Sequence, residues 1–125
     1  METKKLPFGW EWKKFREVAE FINGRAFKPS EWKREGLPII RIQNLTNSSK
    51  EFNYFNGGVE QDNLVHRGDI LISWSASLGA FIWNRDKAVL NQHIFKVNVN
   101  NKIIDKKYFF HVAQTKIEED RKSVV

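Results

Sequence analysis

The sequence predicts an α+β domain: a twisted, mostly antiparallel β-sheet with short helices and one C-terminal helix. Three observations carry this. The stretch from Gly68 to Trp83, GDILISWSASLGAFIW, alternates in polarity and can turn back at Gly79, as a β-hairpin does. Other short strand-like runs lie before and after it, with connections mostly too short for the crossover helices of a β-α-β winding. From Asp105 onward the apolar period lengthens to that of a helix.

Taken in order, Phe15, Val18, Ala19 and Ile22 follow helical spacing, while residues 18–22 fit a short strand equally well. Asn23-Gly24 ends whichever element forms there. A basic loop, Arg25 to Ser30, leads to one helical turn capped by Ser30 and stopped by Gly36. Leu37 to Leu45 reads as a strand rich in β-branched residues, with Ile40 and Ile42 on one face and Arg41 and Gln43 on the other. Residues 46–58 read as a long polar loop holding one short strand, with a hairpin turn at Gly57-Gly58. A helical turn comes next, between Glu60 and Arg67.

Within the Gly68–Trp83 hairpin, Ile70, Ile72 and Trp74 share an apolar parity, and Ser73, Ser75 and Ser77 share a hydroxyl parity. The hydroxyl row is either a solvated face or a surface that meets something polar. Trp83 is expected in the core. The run from Ile94 to Val99 is a strand with Phe95, Val97 and Val99 on one face and Lys96 and Asn98 on the other. His93 has the parity of Phe95 and is expected to be partly buried. In the last element Phe109, Val112, Ala113, Lys116 and Ile117 form one stripe opposite Lys107, His111, Gln114 and Glu118, with Asp105 as N-cap.

Composition narrows the function classes. With 125 residues, ten Phe and five Trp, the chain suffices for one domain with a real core, here residues 1–125. Mean hydropathy of −0.55 and the absence of any apolar run near 20 residues argue against a membrane span. No secretory signal is visible, and the absence of cysteine fits a cytoplasmic protein and removes thiolate metal sites. A formal charge of +6 and a pI near 9.7 point toward polyanionic partners, nucleic acid foremost.

Searches for catalytic and metal constellations fail. Ser73, Ser75 or Ser77 with His93 and Asp69 supplies the residue types of a nucleophilic triad, but no Gly-x-Ser-x-Gly elbow exposes the hydroxyl. His66, His93 and His111 are scattered without ligand spacing, and Gly57-Gly58 precedes no phosphate-binding lysine. No catalytic residue, metal or cofactor is assigned. Polar readout remains: Arg41, Gln43 and Asn44, the serine row, and Asn91-Gln92 can donate and accept hydrogen bonds in fixed geometry. Arg25, Lys28, Lys33 and Arg34 can neutralise phosphates.

The ordered set LPIIRIQNL (37–45), GDILISWSASLG (68–79) and LNQHIFKV (90–97) resembles a target recognition domain of type I restriction–modification specificity subunits. The opening Trp12-Lys13 to Gly24 and the helix around Tyr108-Phe109-Phe110 are similar to the same family, so the resemblance covers nearly the whole chain. It implies a DNA methylase specificity domain-like fold and a non-catalytic component that reads half of a split target in double-stranded DNA. Its partners would be the methyltransferase (modification) subunit and the restriction subunit. Methyl transfer from S-adenosylmethionine would belong to the former, so no cofactor is expected here. From the polar and basic residues already singled out, the candidate DNA-binding residues are Arg25, Lys28, Arg41, Gln43, Asn44, Ser75, Ser77, Asn91 and Gln92. The family pattern continues past the last helix through closing strands and a Leu-Pro-Pro segment that this chain lacks, so the domain is expected to be incomplete at its C-terminus. The alternative is a truncated remnant or protein-interaction domain without DNA binding of its own.

Overall fold

The computed structural model describes residues 15, 17–46, 50–73 and 79–123, the last four by backbone alone. Among the described residues eight strands form two four-stranded sheets, accompanied by short helical turns, of which Ile42–Leu45 is labelled α1, and by a long C-terminal helix, α2 (Lys106–Ser123). The first sheet has the order β1 (Ala19–Asn23), β8 (Ile94–Val99), β5 (Ile70–Ser73), β6 (Gly79–Ile82), antiparallel throughout. The second has the order β3 (Asn53–Phe55), β2 (Leu37–Ile40), β7 (Ala88–Leu90), β4 (Leu64–Val65). Its central pair, β2 and β7, is parallel, with Ile39 opposite Val89 and Ile40 opposite Leu90. The α+β class holds, with the strands divided between two layers.

The layers explain the burial. One face of the first sheet packs Ile70, Ile72, Phe95 and Val97 against Phe109, Ala113 and Ile117 of α2. Its other face meets the second sheet through Leu71 and Ile94 against Ile40, Val65, Ala88 and Leu90. A third cluster, Phe27, Ile39 and Val89, covers the far side of the second sheet. β5 is therefore buried on both faces, which takes Ser73 out of the row that could meet solvent or a ligand, while Ser75 and Ser77 lie outside the described residues. Ser73 is 0% exposed. The same sandwiching buries Lys96, whose Nζ donates to the Leu64 carbonyl at 2.8 Å and ties β8 to β4. A buried ammonium without such a partner would be strongly unfavourable.

Several elements differ from their expected form. The strand ends at Ile40, and α1 takes up the chain at Ile42, so Ile42 and Gln43 do not continue a strand alternation. The Asn44 side chain decides this, because its Oδ1 accepts the Arg41 N–H at 3.0 Å and closes the turn. Pro29–Glu31 forms a 3-10 turn that starts one residue before the expected Ser30 cap, with the Lys28 N–H donating to Glu31 Oε1 at 2.9 Å. Gly57-Gly58 closes no hairpin, since β3 pairs with β2 while β4 pairs with β7. His93 is exposed rather than buried; it lies in the turn before β8 with φ of 73°, which breaks the parity carried back from Phe95. The first apolar run resolves into helix up to Val18 and strand from Ala19. Trp83 is 4% exposed, as expected for core, whereas Trp74 lies outside the described residues.

The C-terminal helix matches its expected stripe: Phe109, Ala113 and Ile117 are buried, and Lys107, His111, Gln114 and Glu118 are exposed. Asp105 Oδ2 accepts the Tyr108 N–H at 3.0 Å, the N-cap geometry expected. Asp105→Ala is expected to lower stability by about 1 kcal/mol, read as a shift in the urea midpoint. An unchanged midpoint would show that the cap contributes nothing here.

Candidate nucleic-acid interface

The parallel pairing of β2 and β7 places their C-terminal ends together at one end of the second sheet. The segments that leave these ends, Arg41–Leu45 and Asn91–His93, therefore emerge side by side, and the Asn91 N–H donates to the Ile40 carbonyl at 3.2 Å. The loop after β1 joins them: Gly24 donates to Ile94 O at 3.0 Å and Arg25 to Leu90 O at 2.9 Å. The approach is so close that a Cβ on Gly24 would stand 1.9 Å from the Asn91 carbonyl oxygen. Ser73 and Gly79, which flank the serine stretch, sit across the same end, with Ser73 paired to Ile94. Three segments distant in sequence thus converge, and seven of the nine expected site residues lie on them. Ser75 and Ser77 lie outside the described residues.

The seven differ in what they are already doing. Arg25 pairs with Glu31 at 2.6 Å, and its guanidinium stacks 4.6 Å from the Phe27 ring centroid and 4.8 Å from that of Phe55. Those rings hold the charge in one place while leaving its side chain 36% exposed. Arg41 and Asn44 act together. Asn44 Nδ2 and Arg41 Nη2 both donate to the Glu51 carbonyl, at 2.9 and 3.3 Å, so one oxygen closes the loop between residues 41 and 51. Arg41 Nε is buried without a hydrogen-bond partner among the described residues. Both ends of the Asn44 amide are engaged within the loop, which makes it a scaffold for its neighbours. Lys28 and Gln92 are exposed, Gln43 and Asn91 half-buried. Sequence reasoning missed Glu31 and Glu51, and a backbone carbonyl such as that of Glu51 leaves no signal in residue types.

Among the described residues no group of three His, Cys, Asp or Glu side chains could hold a metal ion. No helix among them is long and apolar enough to cross a membrane. Comparison with known proteins settles the family. A family model described as the type I restriction modification DNA specificity domain matches residues 7–124. The chain belongs to this family. The specificity domain is 31% identical over 96 residues to the type I restriction enzyme EcoBI specificity subunit of Escherichia coli, covering 75% of this chain and 20% of that protein. Its fold is similar to the crystal structure of the HsdS subunit from Thermoanaerobacter tengcongensis, with a TM-score of 0.68 at 16% identity over 85% of this chain and 27% of the other. A second solved structure, from work on complex assembly and conformational transition of the type I R-M system, gives a TM-score of 0.61 at 18% identity, covering 80% of this chain and 26% of that one. The specificity domain thus spans about a fifth to a quarter of the length of these relatives.

Proposed function

We propose that the domain reads one half of a split target in double-stranded DNA, as part of the specificity component of a type I restriction–modification complex. The observation that carries this is the convergence of the 24–28, 41–45 and 91–93 segments at one sheet end in a chain of this family. Gln43, Asn91 and Gln92 are the base-reading groups, since a side-chain amide can pair bidentately with adenine. Arg25 and Lys28 neutralise phosphates, and Ser75 and Ser77 add contacts from the hairpin. Arg41 and Asn44 hold the loop that presents Gln43. The domain itself is non-catalytic and needs no cofactor; the modification and restriction subunits bring the chemistry, in the cytoplasm where the DNA is.

Selection of bound sequences from a random duplex pool tests the reading, with the full chain as bait. One conserved half-site should emerge, and log K should fall linearly with log[salt]. A pool that stays random, or binding indifferent to salt, would sink it. Gln43→Ala is expected to relax preference at one base pair by about 1–3 kcal/mol. Equal weakening on all sequences would show that Gln43 does not read a base.

A further inference from the structure

A second basic feature lies on the flank where β3 and β6 form the outer edges of the two sheets. There a cleft of about 420 Å³ is walled by Pro38, Phe52, Tyr54 and Trp83 and rimmed by Arg67, Arg85 and Lys87. Two turns build the rim, and they are stitched together. Gly68 N–H donates to Trp83 O at 2.7 Å, and Trp83 N–H donates to Asp69 O at 2.9 Å. Trp83 Nε1 donates to the Asp86 carbonyl at 2.8 Å. Arg67 spans the turns, bonding Asn84 O at 2.5 Å and Asp86 Oδ1 at 3.1 Å. This uses the one carboxylate of the cleft. Arg85 and Lys87 are left exposed, with no acidic partner among the described residues. Arg85 is also held in place, its guanidinium 5.4 Å from the centroid of Phe52, which in turn packs edge-on against Trp83. Two uncompensated cations side by side on one turn, the first of them seated over an aromatic ring, suit an anion.

We propose that this cleft is a sequence-independent contact for the phosphodiester backbone of the same duplex, an inference that rests on the proposed DNA-reading function. Position favours this occupant. Phe52 comes directly after Glu51, whose carbonyl closes the 41–51 loop, so the lip of the cleft is continuous with the reading end. Lys87 directly precedes β7 and Asn91 directly follows it, so the cations of the rim stand one short strand, about 13 Å, back from the reading loops, a distance on the scale of the groove that the phosphates wall.

The test compares the wild-type chain with Arg85→Gln/Lys87→Gln and with a charge-matched control, Lys102→Gln/Lys107→Gln, on a 30-base-pair duplex of random sequence and on the selected target. The cleft variant should bind both duplexes about tenfold more weakly, and its salt slope should shrink by about two while the control keeps its own. Base preference should not change. The Trp83 indole N–H resonance, assigned through Trp83→Phe, should shift on adding either duplex. If the wild type binds its target but the cleft variant matches it in affinity and slope, the proposal is overturned and an acidic protein surface becomes the better occupant. Equal losses in both double variants overturn it too, since the effect would then be one of net charge. A wild type that binds neither duplex removes the DNA-reading function itself, a result distinct from both.

Discussion

Gly24→Ala is expected to be the most damaging single change at the interface, lowering stability by about 3 kcal/mol. The added methyl would meet the Asn91 carbonyl oxygen at 1.9 Å and the Leu90 oxygen at 2.8 Å. These are backbone atoms, which cannot rotate aside as a long side chain could. Either the loop after β1 lifts away or the 91–93 turn moves, and in both cases the Arg25–Leu90 and Gly24–Ile94 hydrogen bonds are lost. Urea unfolding measures the stability, and amide spectra should show changes centred on 23–27 and 90–94. A loss below about 1 kcal/mol with unchanged spectra would mean that the two segments are less tightly apposed than these distances imply.

Phe109→Ala is expected to remove about 3–5 kcal/mol, through lost burial and the cavity left behind. Phe109 is 0% exposed and stands at the centre of the helix–sheet core, edge-on to Phe15 at 5.1 Å and tilted against Phe21 at 6.4 Å. Marginal domains have about 5–15 kcal/mol in total, so this one change should unfold a measurable fraction. Its neighbour Tyr108 is 60% exposed, and Tyr108→Ala should stay within about 0.5 kcal/mol. Similar losses in the two variants would show that α2 is not oriented by this stripe.

Much of the fold was legible wherever one periodicity ran unopposed. The 3.6-residue stripe of α2 and its Asp105 cap follow from side-chain spacing alone. The hairpin was legible in kind but not in detail, since Gly79, the expected turn, is already paired with Ser73 as the first residue of β6. The reading of 37–45 failed because Ile42 and Leu45 suit a strand and a helical turn equally well, and the choice lies with the Asn44 side chain and a distant carbonyl at Glu51. His93 failed because parity holds only while the backbone stays extended, and its φ of 73° interrupts the count. For Ser73, alternation defined two faces without saying what covers each, and a second sheet covers the one it is on. At the interface the residue types were readable, but their meeting depends on β2 and β7 lying parallel. Strand pairing between such distant segments leaves no local trace.

That parallel pair also bears on how the domain can assemble. Ile39 and Val89 must meet across everything that lies between them, including all of β3 to β6. Ser73 and Gly79, by contrast, are near neighbours in sequence. Loop-closure entropy makes short-range pairing the earlier event, and long-range parallel pairing the slow one. The β5–β6 ribbon and α2 can form before the second sheet closes, but the 41–45 and 91–93 segments have no common edge until β7 docks on β2. β1 and β8 close a longer loop still, with Ala19 opposite Val99, so both sheets depend on pairing between distant parts of the chain.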